Sequence, residues 1–375
     1  MTRKSFAIIG NQAFSLLNFR SPLIRDIVSR GYIVYALAPD FDESTEEQVR
    51  QIGAVPISIS LSRTGLNPAR DLRDVVKLTR VLARLQPETV LSFSIKPVVY
   101  GTLAARFAGV RRRYALIAGL GYAFGESARS TKKAKILHSL ARGLYKLSLS
   151  QVRCVFMQNP DDAIDFVRMG IISRDKIQQV NGTGVDLSAW PALTPVEKPV
   201  TFLLAARLLA QKGIVEYAQA ARIVKSKFPE TRFILLGALD SNPDGIARPL
   251  VERWVEEGTL EWAGHVDVRP WLEQASVYVL PSYYREGIPR SIQEALASGR
   301  PVITTDAPGC RETVVDGLNG ILVPPRDVDA LVRAMLTFHE QPELVQLMGR
   351  ESRLIAEEKF DVRNINSIMI AAMEL

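Results

Sequence analysis

A chain of 375 residues, 47% of them hydrophobic, is long enough for two or three domains with sizeable cores. Its net charge of +7 calls for an anionic partner, but the basic segments lack the aromatic interleaving and recognition signatures of nucleic-acid modules, so no nucleic acid is expected. No apolar run is long enough to span a membrane, MTRKSFAIIGNQAF carries no leader pattern, and two cysteines and three scattered histidines offer neither a disulfide framework nor a metal site, which together read as a cytoplasmic protein.

In chain order, short apolar runs at 5–10, 32–38, 54–60, 89–94, 114–119 and 152–158 alternate with helical patterns, the mark of a parallel sheet covered by helices on both faces. Ser21-Pro22 is expected to open a helix that Gly31 closes, Ser44-Thr45-Glu46-Glu47 has capping-box spacing, and Asn159-Pro160-Asp161-Asp162 reads as another helix start. The GNQAF loop after the first run lacks G-x-G-x-x-G, against a dinucleotide oxidoreductase, and Gly10, Asn11 and Gln12 are placed on the acceptor side. Asp40-Phe41-Asp42 can be taken for a metal-binding Asp-x-Asp; its setting in DFDESTEE favours a solvated or capping role.

Arg111, Arg112, Arg113, Arg129, Lys132, Lys133, Lys135, Arg142 and Lys146 gather the first half's positive charge. Within ESARSTKKAKILHSLARGLYKLSLSQ they interleave with Ile136, Leu137, Leu140, Leu144, Leu147 and Leu149 as a basic amphipathic helix. Such a helix suits an anionic membrane face, with Lys132, Lys133 and Lys135 toward the headgroups; an ordinary helix with a core face and a solvated basic face has the same pattern.

After Pro199 the rhythm restarts, with strands near 199–205, 232–236, 276–280, 301–304 and 320–323. The expected fold is α/β: two doubly wound, Rossmann-like domains facing an interdomain cleft. The domains are taken as 1–190, for the acceptor, and 191–355, for the donor; an amphipathic helix over 356–375 returns to the first.

Two constellations carry chemistry. In ARLLAQKG, at the end of a strand, Arg207 and Lys212 place a guanidinium and an ammonium where they can clamp a diphosphate; two solvated loop cations are the alternative. In EGIPRSIQEALASGRPVITTDAPG, seven residues separate Glu286 from Glu294. A helix opening after Glu286 offers its N-terminus to a diphosphate, and Glu294, one to two turns in, can accept from a ribose diol. Two solvated helix-face glutamates would show the same spacing.

RLLAQKG, AGHVD at 263–267, SYYREGIPRSIQEALASGRPVITTDAPGCRETV and GLNGILVPPRDVDAL together resemble the second domain of family-four GT-B glycosyltransferases, which are retaining enzymes that use nucleotide sugars. SFSIKPVVYGTLAARFAGV and IAGLGYAF resemble the subset that builds bacterial surface glycans on polyprenyl-diphosphate carriers, such as N-acetylgalactosaminyl- and galactosyltransferases. The resemblance implies that Arg207 and Lys212 hold the donor diphosphate, that Glu294 binds the ribose, and that Glu286 with the backbone of Gly287 and Ile288 holds the transferred sugar. Arg207, Lys212 and Glu286 would be catalytic, with Thr183 and Gly184 of GTGVD beside the donor.

Relatives carry a first-domain histidine that has no counterpart here, since His138 lies in the basic helix. Ser94, Lys96 or the Gly119-Leu120-Gly121 loop stands in its place, and Asn11, Lys96, Gly119 and Gly121 are assigned to the acceptor. The implied reaction is front-side transfer of a hexose or N-acetylhexosamine from a UDP-sugar, with GDP as runner-up base, to a polyprenyl-diphosphate-linked saccharide. It would serve capsule, exopolysaccharide or O-antigen assembly at the inner face of the cell membrane, without a metal or other cofactor. A sugar-nucleotide epimerase of the same fold and a non-catalytic sugar-nucleotide-binding protein are the rival readings. A paired-carboxylate glycosidase fits less well, because Glu286 and Glu294 share one element.

Overall fold

Buried strands sort the first half into a single sheet. The computed structural model describes residues 4–62, 67–119, 132–240, 242 and 244–375, and the chain divides into two compact units, residues 1–183 with 362–375, and residues 184–361. The first unit holds β1 (Ser5–Ile9), β2 (Ile33–Ala38), β3 (Val55–Ser58), β4 (Thr89–Phe93), β5 (Arg112–Ile117), β6 (Cys154–Met157) and β7 (Ile177–Gln179). They form a seven-stranded sheet in the order β3-β2-β1-β4-β5-β6-β7, every pairing parallel. Both faces are covered, because strand side chains alternate. Phe6, Ile8, Tyr114 and Leu116 pack under α1 (Ala13–Ser29), α2 (Glu43–Gln51) and the terminal helix α13 (Val362–Ala372). Ala7, Ile9, Ala115 and Ile117 pack under α3 (Pro68–Leu85), α4 (Thr102–Phe107), α5 (Lys132–Leu149) and α6 (Pro160–Arg168).

The helix starts show where local signals compete. The first helix begins at Ala13, not at Ser21-Pro22: Asp40 accepts from the Ala13 N–H at 2.7 Å and caps that end, so Pro22 lies inside the helix. Ser21 turns its hydroxyl back onto the carbonyl of Leu17. The capping box of α2 starts at Asp42, two residues before the expected Ser44; Asp42 accepts from Thr45 N–H at 2.8 Å while Thr45 Oγ1 accepts from Asp42 N–H at 2.9 Å. Both acids of Asp40-Phe41-Asp42 are thus helix caps. Asn159 caps α6 as read, accepting from Asp162 N–H at 2.8 Å. β7, three residues with the sequence IQQ, is too short and polar to show a strand period.

The second unit repeats the plan with six parallel strands: β8 (Thr201–Ala205), β9 (Arg232–Leu236), β10 (Glu261–Gly264), β11 (Val277–Leu280), β12 (Val302–Thr305) and β13 (Gly320–Val323), in the order β10-β9-β8-β11-β12-β13. α7 (Ile214–Lys227), α8 (Arg248–Glu256) and α11 (Val328–Glu340) close one face over Phe202, Leu204 and Phe233, and α9 (Arg269–Gln274) packs on the other face. α10 (Arg290–Ala297) and α12 (Glu343–Lys359) close the other over Leu203 and Leu280. The chain leaves β8 for β9 on one side and returns after β10 to β11 on the other. Loops at the carboxyl ends of β8 and β11 therefore diverge around a crevice, the usual ligand position in such sheets.

The last helix belongs to the first unit. Ile365, Met369 and Ile370 enter the core that holds Phe6, Leu16 and Ile24, Asn366 donates to Asp26 at 2.6 Å, and Tyr114 reaches the Met373 carbonyl at 3.4 Å. Met369 is 1% exposed, so Met369→Ala removes buried thioether volume that its neighbours cannot refill. Urea unfolding followed by circular dichroism is expected to show a loss of about 2–4 kcal/mol; an unchanged midpoint would mean that the helix does not stay docked in solution.

Candidate active site

The loop from β8 to α7 is shaped by close backbone approaches. Gly213, at φ +76°, lies so near Pro281 that a Cβ there would sit 2.2 Å from its carbonyl oxygen. Gly237, after β9, would meet the Ala206 carbonyl at 1.8 Å. Only glycine fits either position. The same loop is held to the β11 side by the Gln211 carbonyl, which accepts from the N–H groups of Tyr283 at 2.9 Å and Tyr284 at 3.1 Å. Lys212 is thereby delivered to Glu286. The two form an ion pair, with side chains 13% and 12% exposed, and Ser282 donates to the same Glu286 oxygen at 3.1 Å. The Lys212 ammonium also lies 5.4 Å from the ring centre of Tyr284, a favourable cation–π distance.

Glu286 itself stands in the loop before the helix. Behind it, Gly309 at φ +87° would place a Cβ 2.0 Å from the Gly287 carbonyl oxygen and 2.7 Å from the Glu286 Cβ, so the loop after β12 backs directly onto the carboxylate's own backbone. Thr305 donates to the Ser282 carbonyl, and Gly309 N–H is held by Glu312 at 2.7 Å.

Glu294 lies on α10, just over one turn in, and accepts from Arg290 Nε at 2.8 Å. Burial pushes its carboxyl above the usual carboxylate range; Arg290 pulls it back, Asp267 adds a further push and Arg269 a small pull. Next to it, Gln293 accepts from Gly184 N–H at 2.9 Å and donates to the Ile288 carbonyl at 3.1 Å. Gly184, Ile288 and Glu294 are thus held within one hydrogen-bonded corner. Pro289 stands at the N-cap and gives the first turn of α10 no side-chain cap.

Of the residues expected in the second unit, Lys212 and Glu286 are brought into contact, whereas Glu294 pairs with Arg290 and Arg207 pairs with Asp240 at 3.1 Å. Arg207 is 53% exposed, and such a surface pair holds it weakly. Asp240 and Gln293 reach partners 33 and 109 residues away, Arg207 and Gly184, which no local pattern shows, whereas Ser282 stands four residues before Glu286, to which it donates. Arg290 did carry one, the (i, i+4) spacing to Glu294.

Asn11 stands after β1, with a side-chain oxygen that is buried and without a hydrogen-bond partner. Lys96 is 9% exposed, and its ammonium is spent on Asp71 at 2.9 Å and on Ser62; Tyr100 donates to the other Asp71 oxygen at 2.9 Å. That network sits beside Ser94, a non-glycine at φ +72°, and a π-helical turn at Pro97–Gly101. Gly119 follows β5 at φ +93°. Gly121 and Arg129 lie outside the described residues, as do the side chains of Lys132 and Lys133. Thr183 is half-buried and belongs to the first unit.

Comparison with known proteins decides what this arrangement belongs to. Residues 199–341 match the family model described as glycosyl transferases group 1, and residues 12–159 match the one described as glycosyl transferase 4-like. The chain is 28% identical to an N,N'-diacetylbacillosaminyl-diphospho-undecaprenol α-1,3-N-acetylgalactosaminyltransferase of Campylobacter jejuni, over 90% of this chain and 89% of the relative. The chain belongs to the family-four-like GT-B glycosyltransferases. It is an enzyme, a hexosyltransferase.

An Escherichia coli UDP-Gal:α-D-GlcNAc-diphosphoundecaprenol α-1,3-galactosyltransferase is 23% identical to this glycosyltransferase over 76% of the chain and 74% of the relative. Among solved structures, the sucrose-phosphate synthase of Thermosynechococcus elongatus superposes with a TM-score of 0.80 at 18% identity, covering 99% and 98% of the two chains. Anabaena HepE in complex with UDP superposes with a TM-score of 0.76 at 18% identity, covering 100% of both. The GT-B fold expected from the sequence is the fold observed.

In this glycosyltransferase Gly309→Ala tests whether the crowding behind Glu286 is real. A Cβ at positive φ and against two backbone oxygens is expected to lower stability by about 1–3 kcal/mol in urea unfolding; a wild-type midpoint would show that the loop after β12 does not back onto Glu286.

Proposed function

We propose that this glycosyltransferase moves a hexose or N-acetylhexosamine, with retention, from a UDP-sugar to a polyprenyl-diphosphate-linked saccharide in the assembly of a bacterial surface polysaccharide. The observation that carries the reading is the Lys212–Glu286 pair at the carboxyl ends of β8 and β11. It puts a cation for a leaving diphosphate and a carboxylate for sugar hydroxyls in contact. The relatives add the substrate class: two are named for transfer to diphospho-undecaprenol acceptors, one of them from UDP-Gal, and HepE was solved with UDP.

In this reading the donor diphosphate enters beside Lys212, which shares its ammonium between Glu286 and the phosphate. Arg207 swings from its exposed pair with Asp240, and the N-terminus of α10, where Pro289 supplies no side-chain cap, adds its dipole. The bond from the anomeric carbon to the phosphate oxygen breaks, charge grows on the departing diphosphate, and these groups bear it without a bound metal. The acceptor hydroxyl attacks from the same face and its proton passes to the leaving phosphate oxygen. Glu286, fixed by Ser282 and by the backbone behind it, holds the sugar hydroxyls with the backbone of Gly287 and Ile288. Glu294 takes the ribose diol, and Thr183 and Gly184 line the donor. Asn11, whose buried oxygen awaits a donor, and Gly119 are assigned to the acceptor.

Membrane association follows from the acceptor and from α5, which carries no acid and exposes Lys135, Arg142 and Lys146. Among the described residues no helix is long and apolar enough to cross a membrane, so the association proposed is peripheral, at the inner face.

The deciding assay mixes purified protein with UDP-sugars and follows UDP release, expected only with a lipid-linked acceptor present; no turnover with any nucleotide sugar overturns the reading. Arg207→Ala should cut transfer by about 100-fold or more with no shift in the unfolding midpoint, since its pair with Asp240 is exposed. Lys212→Ala should remove nearly all activity, and a wild-type rate in either variant would sink the diphosphate clamp.

Glu294 supplies a pH test. A ribose diol donates best to the ionised carboxylate, and the free protein holds this carboxyl above its ordinary value of 4.5. UDP affinity, measured by calorimetry, should therefore be flat at neutral pH and fall as pH drops through that raised range, with proton release on binding. Glu294→Gln should bind weakly without the acid fall; an identical profile in that variant would remove Glu294 from the ribose.

A further inference from the structure

The two faces of the first unit's sheet differ in charge. α1 and α2, on one face, mix acids with cations: Asp26, Glu43, Glu46 and Glu47 stand among Arg25, Arg30 and Arg50. The other face carries α3, α4 and α5 side by side, with α6, which bears Asp161, Asp162 and Asp165, packed on the same core layer. Along α3, Arg70, Arg73, Lys77, Arg80 and Arg84 are all exposed, spaced three or four apart, and so form one continuous row down the helix. Its two acids, Asp71 and Asp74, are each 2% exposed and are turned inward to Lys96, Tyr100, Ser60 and Ser62. α4 adds exposed Arg106, and α5 adds Lys135, Arg142 and Lys146; neither helix contains an acid. Among the described residues, none of these nine exposed cations takes part in a salt bridge.

Large apolar side chains share this surface. Leu72 is 66% exposed and Val76 41% on α3, Phe107 68% at the end of α4, and Ile136 71% on α5, with Leu140 and Leu147 one and three turns further along the same stripe. Exposed leucines scattered singly need no explanation. Six large apolar side chains set among nine cations, with both acids of α3 buried and none on α4 or α5, are a different matter, because self-repulsion and exposed hydrocarbon are both relieved by the same kind of partner.

We propose that the outward surface of α3, α4 and α5 is one continuous docking face for an anionic lipid bilayer. The cations meet lipid phosphates across a broad plane while Leu72, Phe107, Ile136 and Leu140 enter the boundary between headgroups and acyl chains. A nucleic acid would satisfy the cations but leave the aliphatic side chains in water. The face extends the membrane contact well beyond α5, whose involvement is part of the proposed function, and it makes α3 its strongest electrostatic element. It rests on that reading only for its purpose, since binding to lipid needs neither donor nor acceptor.

The test is co-sedimentation of the full chain with vesicles of phosphatidylcholine alone or mixed with phosphatidylglycerol, at low and high salt. The wild type should partition onto the anionic vesicles only and be released by salt. Arg73→Glu with Arg80→Glu should lower partition by at least about 25-fold, each lost cation being worth about fivefold near an anionic surface. Arg25→Glu with Arg50→Glu, the same change in net charge on the opposite face, should leave it within about twofold. Leu72→Ser with Phe107→Ser should weaken binding even at low salt. An α3 pair that behaves like the opposite-face pair overturns the proposal, even if α5 alone still holds the membrane. So does equal loss from both pairs, which would mean net charge only, and so does tighter binding to a duplex nucleic acid than to vesicles in the same buffer. Transfer to a detergent-solubilised acceptor should be unchanged in the α3 pair, which separates failure of this face from failure of the transferase reading.

Discussion

One ion pair organises the second unit. Lys212 reaches it from the loop after β8 and Glu286 from the loop after β11, the two strands between which the sheet changes direction. A charge that is only about an eighth exposed needs a partner, and each of these is the other's. Everything nearby serves to keep them in register. Gly213 lets the loop of Lys212 lie against Pro281, the Gln211 carbonyl ties that loop to Tyr283 and Tyr284, and Ser282 fixes the carboxylate. In the proposed function a nucleotide sugar would offer a phosphate to Lys212 and hydroxyls to Glu286, and could enter without leaving either charge buried alone.

Glu294 is governed by the opposite balance. Burial outweighs its pairing with Arg290 and the smaller pull of Arg269, and the carboxyl is left above its ordinary range. A buried acceptor that is under-supplied with donors is what a diol can complete, and completing it favours the charged form. The two carboxylates of the motif therefore differ in environment as well as position. One is paired with an ammonium in the free protein, and the other is the one the proposed function leaves for the ligand to stabilise.

In the first unit the same rule of pairing removes charge from the surface at one place and leaves it there at another. Lys96, Asp71 and Tyr100 satisfy one another inside the layer of α3 and α4, which holds the turn after β4 with its left-handed Ser94 and π-helical step. Drawing Asp71 into this network, with Asp74 held inward by Ser60 and Ser62, leaves α3 without an exposed acid on its outer side. Internal structure and the uniform charge of the outer face have one cause.

Much of this was legible in the sequence because it depends on period and punctuation. Alternating apolar runs pointed to a two-part α/β fold, Asn159-Pro160 marked a helix start, and the Gly-Ile-Pro turn after Glu286 marked the entry to a helix carrying Glu294. What the tertiary structure decided was partnership. Asp40 caps a helix 27 residues earlier in the chain, so the helix start expected at Ser21-Pro22 falls inside α1; Lys96 turns inward to Asp71; Arg207 goes to Asp240 and Lys212 to Glu286, although the two cations lie five residues apart. The physical reason is that a local pattern records the cost of exposing or burying a side chain, which neighbours in sequence determine, whereas the choice among several oppositely charged partners depends on which of them the packed sheet brings within about 3 Å.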